Sequence, residues 1–171
     1  THGACASRPG MTHVAMLGRR LDIPVINLGF AGNGTMDSEM GALLTELDAS
    51  VYVIDCLPNM DAESVAQRTE PLVKQLREAR PNTPIVLVED RSFTNSWIFA
   101  SRRDHHRESR AALTRAYDNL VSSGIVELLY LSGDALLGSD TEAATDGSHP
   151  SDLGFVRQAD VFEPILKKAL R

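Results

Sequence analysis

The stretch Asp146-Gly147-Ser148-His149 places an acid and an imidazole three residues apart in a polar loop. In a tight turn, this spacing can bring the Asp146 carboxylate against one imidazole nitrogen of His149. The carboxylate then fixes the tautomer of the ring and leaves the second nitrogen free to act as a base. The same residues also fit an ordinary Asx turn with a solvated histidine, which is the commoner meaning of an isolated D-x-x-H. The rest of the sequence must decide between these interpretations.

The hydrophobic pattern predicts the elements that would position this loop. Apolar residues at helical spacing predict helices over residues 11–21, 38–47, 61–80, 101–123 and 151–170. Continuous aliphatic runs predict strands over residues 23–28, 51–56, 85–88 and 126–131. Pro71 is expected to kink the third helix or to split it in two. Alternating strands and helices indicate a parallel sheet covered on both faces, within one domain over residues 1–171.

Three loops carry the candidate functional residues. Residues 29–34, with three glycines, and residues 57–60, with Asn59, each follow a predicted strand, and residues 140–150 lead to the last helix. Glycines at this density predict a loop in which the backbone must come close to another group. The carboxyl ends of parallel strands meet at one edge of an open sheet, which is where such sheets bind ligands. We therefore expect the three loops to meet at that edge.

The composition limits the classes of partner. The sequence has 171 residues, is 43% hydrophobic and has a formal net charge of −6, which argues against a nucleic-acid binder with a basic face. The locally basic window, residues 102–107, is predicted to be a solvated helix face. His13, His105 and His106 fall in helical patterns and are predicted to lie on the surface, away from the sheet edge. No apolar run reaches the length of a membrane span.

The sequence carries no motif for a metal or an organic cofactor, and none is expected. Gly29, Gly32 and Gly34 do not form G-x-G-x-x-G, and no Walker-type lysine follows them. The two cysteines, Cys5 and Cys56, are too few for a disulfide scaffold and match no zinc spacing. Whether these cysteines pair stays open, as do the oligomeric state and the compartment.

Four segments together resemble the SGNH (GDSL-type) hydrolases, over essentially all 171 residues. The matching segments are residues 1–11 (THGACASRPGM), 25–32 (VINLGFAG), 55–59 (DCLPN) and the D-x-x-H at 146–149. The first of them resembles the T-x-G-x-x-A-S-R-P-G-M segment of an esterase- and lipase-like branch. Leu57 departs from the family pattern, since a glycine is common at that position.

The resemblance implies a three-layer α/β/α, flavodoxin-like sheet and a serine ester hydrolase. His149 and Asp146 would belong to a Ser-His-Asp triad, and the Gly32 backbone N–H and the Asn59 side-chain amide would bind the oxyanion. Arg8 would face the substrate, although an exposed, solvated arginine is at least as good an interpretation. The expected substrate is a small-molecule or carbohydrate ester with a small acyl group such as acetyl. Only 5% of the residues are aromatic, which gives little sign of a long lipid groove.

The resemblance also implies that the nucleophile lies outside this sequence. In the family the serine belongs to a G-x-S-I-T-like stretch, and Thr1 corresponds to its threonine. The serine is therefore expected two residues before Thr1, on a first strand that is central in the 2-1-3-4-5 order of the sheet. Residues 1–171 alone are then expected to be an inactive, N-terminally incomplete domain. Ser7 is the other candidate nucleophile, but it follows the block at helix-entry spacing.

Two other function classes stay open. One is a non-catalytic binding module that keeps the fold without the chemistry, and a serine ahead of Thr1 would argue against it. The other is a metal-dependent hydrolase with Asp146 and His149 as ligands. That hydrolase needs further histidines or aspartates at the same sheet edge.

Overall fold

The computed structural model of the protein describes residues 6–171, so the predictions on Cys5 and on a serine ahead of Thr1 lie outside the described residues. Within this range the chain forms five α-helices and three β-strands. The elements are α1 (His13–Leu21), α2 (Ser38–Thr45), β1 (Tyr52–Ile54), α3 (Ala62–Ala79), β2 (Ile85–Val88), α4 (Ala100–Ser122), β3 (Leu128–Leu131) and α5 (Asp152–Ala169). Short 3-10 turns cover Pro9–Met11 and Leu57–Asn59.

The strands form a parallel sheet in the order β1-β2-β3. In its register Tyr52 lies beside Ile85, and Ile85 lies beside Leu128 on the other side. All four residues of β2 are buried, because this strand has a neighbour on each side and helices on both faces. The continuous aliphatic run at 85–88 is typical of such a central parallel strand. The predicted α/β fold with a parallel sheet is confirmed.

Helices cover both faces of the sheet, which gives the three-layer arrangement. On one face Ile85 and Leu87 pack in a core with apolar residues of α3 and α4, such as Val73 and Leu113. On the other face Val86 and Val88 pack with residues of α1 and α5. Full burial of one such side chain stabilises the fold by roughly 1.5–3 kcal/mol. Alternate residues of β2 thus belong to two separate cores, one on each face of the sheet.

The prediction of a buried strand at residues 23–28 is wrong for the described chain. This segment is irregular, and Val25, Ile26 and Leu28 are exposed by 43%, 66% and 40%. It pairs with no strand within residues 6–171, and a strand without a hydrogen-bonded neighbour leaves its backbone groups unmet. The outer edge of β1 is likewise unpaired there, and both lie on a cavity of about 1150 Å³. An apolar run alone therefore does not make residues 23–28 a strand.

Two histidines also differ from expectation. His13 and His106 are buried, with 3% and 7% exposure, although both were predicted on the surface. His13 stands on the same face of α1 as Met16 and Leu17, so it enters the core with them. In the basic window Arg103 and Arg107 are exposed as predicted.

The long helices are otherwise as the sequence predicts. α3 runs through Pro71 as one element, so the proline does not split the helix. Asp61 and Ser151 cap α3 and α5 by accepting hydrogen bonds from the backbone N–H groups of Ser64 and Gly154. No helix in residues 6–171 is long and apolar enough to cross a membrane.

Candidate functional site

Asp146 and His149 are in direct contact. Asp146 Oδ2 lies 2.7 Å from His149 Nδ1, while Asp146 Oδ1 accepts hydrogen bonds from the backbone N–H groups of Ser148 at 2.9 Å and His149 at 2.8 Å. The carboxylate therefore closes a tight turn and orients the ring at the same time. Nε2 of His149 is the nitrogen left for proton transfer, on a side chain that is half exposed. We call residues 146–149 the Asp-His loop.

Hydrogen bonds keep Asp146 ionised. Partial burial by itself raises the pKa of this carboxyl, but the hydrogen bonds from the His149 backbone, the His149 ring and the Ser148 backbone outweigh it. The net effect holds the pKa of Asp146 below its usual range. A carboxylate that stays charged can stabilise the imidazolium that forms when His149 accepts a proton.

The base of the Asp-His loop is closed by backbone pairing. Ala144 and Pro150 form an antiparallel bridge, and the Thr145 N–H donates to the His149 carbonyl at 3.1 Å. The Ser151 N–H then donates to the Ala143 carbonyl at 3.0 Å as the chain enters α5. The loop is therefore anchored on a helix that packs on the sheet.

The tip of the loop packs against the segment that follows β2. Gly147 has a φ of +87°, and its carbonyl accepts a hydrogen bond from the Thr94 N–H at 2.9 Å. A Cβ at position 147 would collide with the Asn95 side-chain amide. The left-handed backbone therefore favours glycine here, and a side chain at this position would also displace the Asn95 amide.

Gly147→Ala is expected to destabilise the protein by about 1–2 kcal/mol and to lower turnover, because the backbone is left-handed and the loop and the Asn95 side chain must move apart. Gly124→Ala is the matched control: Gly124 has a φ of +88°, but no described atom lies within 4 Å of an added Cβ. Both variants should show the backbone cost in chemical unfolding, and only Gly147→Ala should lose activity on an ester substrate. Equal activity of the two variants would contradict a role for this contact.

The glycine loop (residues 29–34) and Asn59 line the same cavity as His149. Asn59 ends a 3-10 turn after β1, and its Nδ2 donates to the Gly34 carbonyl at 3.3 Å. Gly32 is exposed, with a φ of +94°. Gly32, Gly34, Asn59 and His149 all line the cavity of about 1150 Å³. The structure thus brings these residues to one edge of the sheet, while the direct partner of Asn59 is Gly34 rather than Gly32.

Arg8 and Ser7 are bound to the start of α5. Arg8 Nη1 lies 2.8 Å from Asp152 Oδ2, and Ser7 Oγ donates to the other oxygen of Asp152. These contacts, from Ser7 first and then from Arg8, hold the pKa of Asp152 below its usual range. The Arg8 side chain is 67% exposed, and among the described residues it is not part of the cavity wall. Contact between Arg8 and a substrate therefore stays a prediction.

The floor of the cavity contains titratable groups that the sequence analysis did not assign. His13 Nε2 lies 3.8 Å from Asp55 Oδ2. Burial lowers the pKa of His13 to about 3 and raises the pKa of Asp55 to about 6. Burial also raises the pKa of the neighbouring Cys56 thiol to about 12, so this thiol is not activated. The helical spacing of His13 with Met16 and Leu17 was the signal for its burial.

A metal site at Asp146 and His149 would need further ligands. Within residues 6–171 no group of three or more histidines, cysteines, aspartates or glutamates is arranged to hold a metal ion. The Asp146–His149 contact instead has the geometry of a carboxylate that orients a general base.

Comparisons with solved structures support the fold. A GDSL-like lipase from Bacteroides ovatus matches with a TM-score of 0.92 and 33% identity, over 96% of this chain and 49% of that one. The salicylyl-acyltransferase SsfX3 from a tetracycline biosynthetic pathway matches with a TM-score of 0.77 and 19% identity, over 99% of this chain and 53% of that one. The chain thus spans about half the length of each solved structure.

Comparison with curated proteins finds no match.

A family model, in contrast, covers nearly the whole sequence. Residues 1–167 match the model of the GDSL-like lipase/acylhydrolase family, which includes both the segment ahead of α1 and the Asp-His loop. The chain belongs to the GDSL-like lipase/acylhydrolase family.

Proposed function

We propose that the protein is a serine ester hydrolase in which His149 is the general base and Asp146 its orienting carboxylate. The observation that carries this proposal is the 2.7 Å contact between Asp146 Oδ2 and His149 Nδ1, on a cavity that Asn59 and Gly32 also line. His149 Nε2 takes the proton of the attacking serine and returns it to the leaving alcohol. The Asn59 amide and the Gly32 N–H stabilise the negative charge that develops on the carbonyl oxygen.

The nucleophile in this proposal is a serine ahead of Thr1, on a strand that pairs with β1. Within residues 6–171 the outer edge of β1 has no neighbouring strand, and this edge and the exposed apolar segment 23–28 line the same cavity, which supports a further strand between them. A parallel strand there would end at the edge that carries Asn59 and His149. Ser7 is a poorer candidate, because its hydroxyl donates to Asp152 rather than to His149.

The proposed substrates are esters of a small acyl group with a carbohydrate or another small alcohol. An acyl-enzyme formed on the serine can pass its acyl group to water or to a second alcohol, and the structural neighbour SsfX3 is a salicylyl-acyltransferase. Acyl transfer is therefore the second candidate function. Product analysis with and without an added alcohol separates the two, since a transferase forms the new ester in preference to the free acid.

A fluorophosphonate probe tests the proposal on the intact protein. We expect the mass to increase by one adduct, and peptide mapping to locate it on a serine ahead of Thr1. Prior reaction with a slow ester substrate should protect that serine. An intact protein that takes up no adduct and hydrolyses no ester would overturn the proposal and favour a non-catalytic module. An adduct on Ser7 would overturn the assignment of the nucleophile.

A further inference from the structure

Arg91 binds the centre of the Asp-His loop through two hydrogen bonds to Ser148. Its Nε donates to the Ser148 carbonyl at 3.0 Å, and its Nη2 donates to Ser148 Oγ at 2.6 Å. Ser148 lies directly before His149, and its own N–H is already bound by Asp146. One guanidinium therefore fixes the carbonyl and the side chain of the residue between the two proposed triad members.

Arg91 is itself held rigidly. Its Nη1 lies 2.7 Å from Oδ1 of Asp90, whose side chain is fully buried, and its guanidinium carbon lies 5.3 Å from the centre of the Phe93 ring. The Arg91 side chain is only 9% exposed. A planar guanidinium bound on several sides loses little further freedom when it binds Ser148, so it can act as a fixed support.

Arg91 and the base of the Asp-His loop are held by different elements of the fold. Arg91 follows β2, the fully buried strand at the middle of the described sheet, whereas the Asp-His loop is closed at its base by its own backbone bridge and by α5. The bridge constrains the ends of the loop, while Arg91 constrains its centre. Loss of Arg91 would leave the base paired but let Ser148, and with it the His149 backbone, move.

We propose that Arg91 is a positioning residue that sets the placement of the His149 ring through Ser148. The inference rests on the proposed function of His149 as general base. Arg91 itself touches no reacting atom in this scheme. Its contribution is to keep His149 within reach of the serine hydroxyl, where displacements of about 1 Å can cost about a hundredfold in rate.

Arg91→Ala in the intact protein is expected to lower kcat for ester hydrolysis about 10- to 100-fold while KM changes less than about threefold. Arg91→Lys should recover little, because an ammonium cannot make the paired contacts to the Ser148 carbonyl and hydroxyl. Ser148→Ala removes only the hydroxyl contact and should cost about 2- to 10-fold. Guanidinium ion added at millimolar concentration should restore part of the activity of Arg91→Ala.

Arg102→Ala is the matched control. The Arg102 guanidinium lies 5.0 Å from the centre of the same Phe93 ring, but within residues 6–171 its side chain makes no hydrogen bond to the Asp-His loop. This variant should keep the wild-type kcat. If Arg91→Ala fails to fold, the test uses Ser148→Ala, Arg91→Lys and the double variant Arg91→Lys/Ser148→Ala. Because Arg91 is proposed to act through Ser148, the loss of kcat in the double variant should be smaller than the two single losses combined.

Introducing Arg91→Ala into the His149→Ala variant distinguishes a positioning role of Arg91 from a general structural role. If Arg91 acts through His149, Arg91→Ala should not slow the residual reaction of His149→Ala with a fluorophosphonate any further. A folded Arg91→Ala with unchanged kcat, or an equal loss in both backgrounds, overturns the positioning role. Full activity of His149→Ala would instead overturn the proposed function, so the two failures are distinguishable.

Discussion

Replacing His149 with alanine in the intact protein should lower kcat for ester hydrolysis roughly a thousandfold to a millionfold. The imidazole is the only group proposed to accept the serine proton, and the contact of its Nδ1 with Asp146 at 2.7 Å orients it for that step. Folding should be largely unaffected, because the side chain is half exposed. Steady-state kinetics with a small acetyl ester, together with a chemical unfolding curve, provides the measurement.

His105→Ala is the control for this variant. His105 is a partly exposed histidine of α4, outside the cavity, and its loss should leave kcat unchanged. Asp146→Asn is the companion variant and should also lose several orders of magnitude in kcat, since an amide cannot stabilise the imidazolium. Near-wild-type hydrolysis by His149→Ala would refute the triad assignment outright.

Replacing Asn59 with alanine is expected to lower kcat about a hundred- to a thousandfold, with a much smaller change in KM. The amide would act mainly on the charge that appears in the transition state, so substrate binding depends on it less. The amide donates to the Gly34 carbonyl at 3.3 Å, and this exposed contact contributes no more than about 1 kcal/mol to folding.

Asn33→Ala is the matched control, since Asn33 is an exposed asparagine of the same glycine loop whose Nδ2 donates to the Phe30 carbonyl at 3.2 Å. It should retain the wild-type kcat. If Asn59→Ala and Asn33→Ala behave alike, the Asn59 amide serves only to tie its turn to Gly34. A large rise in KM with an unchanged kcat would mean that Asn59 binds substrate rather than the oxyanion.

The parts of the fold that sequence predicts well are those decided within a short stretch of chain. Residues 85–88 form a strand with the predicted bounds, because four consecutive aliphatic residues are typical of a parallel strand buried on both faces. The predicted strand at 23–28 failed because a strand also needs a neighbour, and pairing depends on chain far away in sequence. Hydrophobic pattern alone does not contain that information.

The same distinction applies to the candidate site. The contact of Asp146 with His149 is predictable, since three residues in a turn decide it. Arg91 could not be assigned, because its partner Ser148 lies 57 residues along the chain and nothing in the sequence near Arg91 points to it. Sheet topology explains why Asn59 and His149 share a cavity, but only the structure shows that Asn59 contacts Gly34.

Within residues 6–171 the outer edge of β1 has no neighbouring strand, and this has a consequence for behaviour in solution. A strand edge without a neighbour can pair with strands of other molecules, and Val53 and Ile26 on the adjoining cavity are 38% and 66% exposed. Molecules that leave this edge uncovered would join edge to edge and precipitate or swap segments. A strand that paired with this edge would therefore also protect the protein from aggregation, independently of any contribution to catalysis.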